Sequence, residues 1–269
     1  MESENKFIQK PERQLDKQVG GALELLGHEI VQPFRSGEIM KLSFDEIKSQ
    51  FPVRYEMYLK TLKAERRNKP LDIEEKQGMG EYLEMLNNLD LYIALHKSDA
   101  QERTLRERQI TVFEDLRNFL EEGGKEGYIK LPTGAGKTVI FSEFIEAAGL
   151  RTLVVVPTQI LVDQTKDRFS EFAGDIDVGR IYTRAKEHGR QVTVTTYQSL
   201  VPQVERGEIN PREYQCLILD EAHTALTGKR IDAIDKFDHA IKLGFTATLN
   251  IRKINRLPIS WTRKFITSA

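Results

Sequence analysis

The sequence predicts an α/β fold, a parallel sheet with helices on both faces, preceded by a mainly helical accessory domain. Three observations carry that prediction. Beyond residue 105, short apolar and β-branched runs alternate with amphipathic helical segments. Several of those runs are apolar without alternation, as strands covered on both faces are. Before residue 105, apolar residues recur at helical spacing instead. Repeated β-α-β units imply parallel pairing, because a helix-length crossover returns the chain to the same end of the sheet. The expected organisation is a helical accessory domain at 1–104, an α/β domain at 105–250 and a basic tail at 251–269.

In chain order, a helix is expected over Arg54–Asn68, where Tyr55, Tyr58, Leu59 and Leu62 share a face and Pro70 blocks continuation. A second runs from about Gly80 to His96 on a stripe of Leu83, Leu86, Leu89 and Ile93. The basic positions from Lys60 to Lys69 read as a solvated face more readily than as a phosphate contact. Ile110–Glu122 forms a helix closed by Gly123-Gly124. A strand at Tyr128–Leu131, a helix at Lys137–Ala148, a strand at Thr152–Val156 and a helix at Ile160–Phe172 follow. Val192–Thr195, Cys216–Leu219 and Lys242–Phe245 are further buried strands.

Composition narrows the classes. Lys and Arg total 40 against 41 Asp and Glu, a net charge of −1, so bulk attraction to nucleic acid is excluded as the main means of encounter. Cys216 is the single cysteine, which excludes an intrachain disulfide framework and points to a reducing compartment. No apolar run reaches the roughly 18 residues a membrane span requires, and Met1–Lys6 lead into no signal-peptide core. A cytoplasmic location with no membrane partner is therefore expected.

Ligands of parallel sheets bind at the carboxyl ends of the strands. After the first strand comes Leu131-Pro132-Thr133-Gly134-Ala135-Gly136-Lys137-Thr138. Gly134 and Gly136 allow a curl in which successive N–H groups face a phosphate, and the next helix presents its positive end to the same anion. Lys137 would reach the β- and γ-phosphates of ATP, and the Thr138 hydroxyl would ligate Mg²⁺. The strict phosphate-loop pattern is not met, since Leu131 stands where it has glycine. A glycine-rich surface turn is the bland alternative.

After Cys216–Leu219 comes Asp220-Glu221-Ala222-His223. Asp220 at a buried strand tip can hold Mg²⁺, and Glu221 can orient or deprotonate an attacking water. An acidic helix N-terminus is the alternative reading. A metal site on His223 lacks a second ligand at suitable spacing.

Together these segments resemble the first, RecA-like motor lobe of a superfamily 2 helicase. Leu131–Thr138 resembles motif I and Asp220–His223 motif II in its DEAH spelling. Val155–Gln159 resembles motif Ia, Thr193–Leu200 the Thr-Tyr segment called Ib, and Gly244–Thr248 motif III. Arg108-Gln109 resembles the glutamine element that reads adenine. The wording of motif I is closer to the restriction-subunit and excision-repair branch than to RNA-dependent DEAD-box proteins. The resemblance implies an ATP site at Arg108, Gln109 and Thr133–Thr138, with Lys137, Asp220 and Glu221 catalytic. It implies nucleic-acid contacts at Pro157, Thr158, Gln159, Thr195, Thr196 and Tyr197, with DNA favoured over RNA. It gives His223, Thr246 and Thr248 the coupling between the two sites.

The sequence departs from the family in two places. Leu249 follows Thr-Ala-Thr where the family usually has proline. Only Leu249–Ala269 follow Thr248, fewer than the roughly 50 residues of a small domain. The expectation is therefore a motor lobe incomplete as a single chain, binding nucleotide weakly and hydrolysing it slowly, with a second chain as a candidate source of the other lobe. The tail holds Arg252, Lys253, Arg256, Arg263 and Lys264 and no acid. It fits a solvated end or out-of-frame sequence better than a nucleic-acid contact. A non-catalytic nucleotide- or strand-binding module is the alternative function.

Overall fold

The structure, a computed structural model, describes residues 48–66, 71–98, 107–132, 134–172, 176–182, 185–225, 228–247 and 265–267. The chain divides into two units, Met1–Asn87 and Asn88–Ala269. In the first, α1 spans Pro52–Arg66 and α2 begins at Ile73 and runs to Ser98, into the second unit. A reciprocal cap starts α2: the Glu75 N–H donates to Asp72 Oδ1 at 2.7 Å, and the Asp72 N–H donates to Glu75 Oε2 at 3.1 Å.

The second unit continues with α3 (Glu107–Glu121), β1 (Glu126–Lys130), α4 (Lys137–Ala148), β2 (Thr152–Val156) and α5 (Gln159–Phe172). A hairpin of β3 (Val178–Tyr182) and β4 (Ala185–Lys186) follows, then β5 (Val192–Thr196), α6 (Tyr197–Glu205), β6 (Cys216–Asp220), α7 (Gly228–Asp235), β7 (Ile241–Thr246) and β8 (Phe265–Thr267). The strands form one sheet in the order β4-β3-β5-β2-β6-β7-β1-β8. Every pair is parallel except β3–β4.

Alternation along the strands divides the core between the two faces. Leu153, Val155, Leu217 and Leu219 pack with Leu200 and Val204 of α6 and Ala233 and Ile234 of α7. On the other face Phe245 meets Phe141 of α4 edge-on at 5.6 Å between ring centroids, and Phe141 reaches Phe169 of α5 at 6.2 Å. Cys216 is buried within this core, where desolvation pushes its thiol up to about 12. Among the described residues, no helix is long and apolar enough to cross a membrane.

Two features differ from the expected domain layout. The unit boundary falls within α2 rather than near residue 104, because the last turns of α2 pack inside the second unit. There Tyr92 stacks on Phe113 at 4.9 Å and donates its hydroxyl to Glu143, while Arg117 donates to Asp90 at 2.6 Å. Phe265–Thr267, assigned to a basic tail, pair with Tyr128–Lys130 as an edge strand. Aromatic and β-branched residues favour that conformation.

The β3–β4 hairpin is fixed by charge. Arg180 donates to Asp163 at 2.9 Å and to Glu187 at 2.8 Å, and Lys166 donates to Glu187 at 3.1 Å. These bonds, Arg180's first, hold the Glu187 carboxyl down at about 2. A depressed carboxyl stabilises the fold above its unfolded value near 4.5, and the contribution fades as pH falls towards 2. Glu187→Gln should therefore cost about 1 kcal/mol at pH 7. Urea titration should show that difference shrinking as pH is lowered through that window.

Candidate active site

The site is assembled by β1, β7 and β6, which lie side by side with Lys130 level with Thr246 and Asp220 level with Phe245. Their carboxyl ends deliver the 131–136 loop, the Asp220–His223 turn and Thr246 to one edge. The Leu131 N–H donates to the Thr246 carbonyl at 3.0 Å, tying the loop to β7.

Gly134 and Gly136 both adopt φ +81°, the left-handed region that glycine enters without steric cost. Gly136 is the N-cap of α4 and, having no side chain, makes no cap bond to its first turn. A Cβ on Gly136 would lie 2.5 Å from Gln109 Nε2. Gln109 is buried, and its amide donates to the Ala135 carbonyl at 3.4 Å. The glutamine thus sits against the glycine bend and supports it. Thr138 is half-buried in the first turn of α4.

Lys137 Nζ forms an ion pair with Glu221 Oε1. Glu221 has φ +47°, unusual for a residue with a side chain, and leads a short 3₁₀ turn, Ala222–Thr224, without capping it. Its carboxylate is therefore not used as a helix cap. Burial pushes the Asp220 carboxyl above its ordinary value; the nearby Lys137 charge opposes this, and the Glu221 charge adds to it. The Glu221 N–H donates to Asp220 Oδ1 at 3.0 Å. His223 Nδ1 lies 3.0 Å from the Thr246 hydroxyl and 3.3 Å from Glu221 Oε2, so it bridges the β6 and β7 exits.

The other expected site residues are distributed as follows. Thr133 and Thr248 lie outside the described residues, as does the side chain of Arg108. At the β2 exit Pro157 is half-buried, and Thr158 and Gln159 are exposed; the Thr158 hydroxyl accepts from the Leu161 N–H at 3.3 Å. At the β5 exit the expectation of strand contacts meets buried side chains. Thr195 donates to the Ile181 carbonyl at 2.6 Å, and Thr196 caps α6 by accepting from the Ser199 N–H at 3.1 Å. Tyr197 donates its hydroxyl to the Asp220 carbonyl at 2.9 Å. These three side chains support the sheet edge from within, because β5 is covered on both faces.

Two supports escaped the sequence reading. The Arg230 guanidinium lies 5.6 Å from the Tyr197 ring centroid and donates to the Thr224 carbonyl at 2.7 Å, bracing the turn that carries Glu221. Gly244 of β7 has no room for a side chain, since a Cβ would lie 2.7 Å from Tyr128 and 2.9 Å from Ala222. A glycine inside a strand was the available signal for such an approach; nothing in the sequence marked Arg230.

The donor set suits a hard cation. Thr138 and Asp220 offer oxygen ligands, and the buried Asp220 carboxylate would gain from a positive charge. No group of three or more His, Cys, Asp or Glu side chains suited to a metal occurs among the described residues.

Residues 102–251, more than half of the chain, match the family described as the type III restriction enzyme, res subunit. The chain belongs to this family. Its res-subunit region is a superfamily 2 helicase-type motor lobe. A 135-residue stretch is 34% identical to the DNA 3'-5' translocase XPB2 of Sulfurisphaera tokodaii, covering 50% of this chain and 29% of that protein. A 132-residue stretch is 32% identical to the putative DNA 3'-5' helicase Rad25 of Haloarcula marismortui, covering 48% of this chain and 21% of that one. The matches thus span less than a third of either relative. Among solved structures, the UvsW helicase from bacteriophage T4 superposes with a TM-score of 0.50 at 24% identity, over 62% of this chain and 61% of that one. That likeness is one of fold.

The res-subunit lobe should tolerate its two loop glycines unequally. Gly134→Ala meets no neighbour and pays only for the positive φ, about 1 kcal/mol. Gly136→Ala must also displace Gln109, so its loss should be larger in thermal or denaturant unfolding.

Proposed function

We propose that this lobe binds Mg-ATP at the β1–β7–β6 edge and couples its hydrolysis to a DNA strand. The observation that carries the reading is the Lys137–Glu221 ion pair, which joins the glycine bend to the acidic strand tip. A lysine at a helix start whose N-cap is a glycine matches a polyphosphate in charge and direction. Phosphate oxygens compete with Glu221 for Lys137, so nucleotide binding releases the carboxylate. Glu221 then accepts a proton from water as the water oxygen bonds to the γ-phosphorus and the bond to the β-bridging oxygen breaks. Mg²⁺, held by Thr138 and Asp220, would neutralise phosphate charge when bound.

DNA is supported by the names of the XPB2 and Rad25 relatives and by the exposed Thr158 and Gln159 at the start of α5. Backbone N–H groups there suit phosphates rather than bases. The His223–Thr246 contact ties the acidic turn to β7, which suits coupling between the two sites.

Lys137→Ala removes a charge-assisted bond worth about 1.5–3 kcal/mol and should weaken Mg-ATP binding about ten- to hundredfold by calorimetry. Unchanged affinity would refute the phosphate site. Glu221→Gln should retain nucleotide and lower turnover about 10²–10⁴-fold, the range of a lost general base. Single-stranded DNA should raise the turnover of the unmodified chain. Nucleotide binding with no turnover under any condition would instead favour the non-catalytic module.

A further inference from the structure

We propose that a groove beside α6 is a single-nucleotide pocket for a DNA strand crossing the β2–β5 side of the sheet edge; this rests on the DNA reading above. The groove has a volume of about 490 Å³ and lies between the β3–β4 hairpin and α6. That is within the roughly 300–1,000 Å³ of small-ligand sites.

Its lining is rich in donors. Gln203 is only 3% exposed, and its Oε1 lies 3.5 Å from the Thr195 hydroxyl. No hydrogen bond from its Nε2 is present among the described residues, so this amide can donate to an acceptor in the groove that Gln203 lines. Ser199 Oγ accepts from Thr196 at 3.0 Å, which leaves its own proton to donate. Lys186 and Arg206 share one carboxylate oxygen of Glu208, at 3.2 and 3.0 Å. Glu208 is the only acid in the lining, so the two cations leave an excess positive charge. Tyr182 contributes an aromatic ring.

A ligand matching this lining carries an anion for Lys186 and Arg206, hydrogen-bond acceptors for Gln203 and Ser199, and a flat ring for Tyr182. One nucleotide of a nucleic-acid strand has all three. The position of the lining explains why a strand fits better than a free nucleotide. It includes Gln159 at the β2 exit and Gln198 at the β5 exit, in the two segments that resemble motifs Ia and Ib. A strand held at those exits passes the opening. The buried Thr195, Thr196 and Tyr197 side chains cannot meet it, whereas the groove residues one turn further along α6 can.

The test is fluorescence anisotropy of a labelled oligodeoxythymidylate with the full chain. Tyr182→Leu should weaken binding about tenfold, as loss of one stacked base does, and Tyr182→Phe should restore it. Lys186→Gln, at an exposed position, should reduce the slope of log affinity against log salt by about 0.7. Mg-ATP affinity should be unchanged in all three. Parent-like strand affinity and salt slope in both Tyr182→Leu and Lys186→Gln would overturn the pocket and leave the DNA reading intact. Competition by thymidine monophosphate at oligonucleotide-like concentrations would overturn the strand assignment. An unmodified chain that binds no strand would overturn the DNA reading together with the pocket.

Discussion

Lys137 and Glu221 are 84 residues apart in sequence and touch at the mouth of the sheet. Everything proposed for the site depends on that contact, and the contact depends on how closely three strands approach. Only β7 separates the strand that leads to Lys137 from the strand that leads to Glu221. Gly244 sets the fit there, because the Tyr128 ring on one side and Ala222 on the other occupy the space of a side chain. With any larger residue, the Tyr128 ring or Ala222 must shift. The lysine side chain is 11% exposed. A charge so enclosed requires a counter-charge, supplied by Glu221 here and by phosphate on the proposed reading.

The acidic turn is held from behind. Asp220 is enclosed, so its ionised form is disfavoured until a cation compensates it. Glu221 has a backbone conformation that side chains rarely adopt, and such positions persist only where their surroundings enforce them. Tyr197 bonds the carbonyl before it and Arg230 bonds the carbonyl at the end of the short turn. The strained residue therefore lies between two fixed backbone points. This explains why residues with no proposed place in the chemistry are enclosed beside those proposed to perform it.

The central part of the fold was legible because its signal is thermodynamic. Strands covered on both faces must be apolar throughout, and Thr152–Val156 and Lys137–Ala148 appear at the predicted residues. Elements stabilised by local polar bonds were less visible. The α2 start was placed near Gly80, but the Asp72–Glu75 cap begins it at Ile73, and Gly78 and Gly80 are tolerated where nothing crowds them. β3 was missed because Gly179 and Arg180 interrupt its apolar pattern; Arg180 is there for Asp163 and Glu187. α6 contains Pro202, which reads as a breaker. The placement of Lys137, Asp220 and Glu221 at one edge of the sheet was legible from backbone demands and strand ends. The roles of Thr195, Thr196 and Tyr197 were not, since spacing along a strand does not reveal which carbonyl a hydroxyl will find.

The relocation of Tyr197 changes how the edge can act. As a strand contact it would belong to one ligand only. As a buried brace it begins at the β5 exit, next to Gln198 of the groove lining, and ends on the Asp220 carbonyl, at the proposed nucleotide side. β5 and β6 are not neighbours in the sheet; β2 lies between them. The tyrosine therefore spans the strand whose exit carries Thr158 and Gln159. On the proposed reading, a strand that shifts the start of α6 draws on the same hydroxyl that fixes the acidic turn. Rearrangement of Asp220 and Glu221 around a nucleotide presses back through it. A hydrogen bond of 2.9 Å between a buried ring and a strand-end carbonyl leaves little slack for the two sides to move independently.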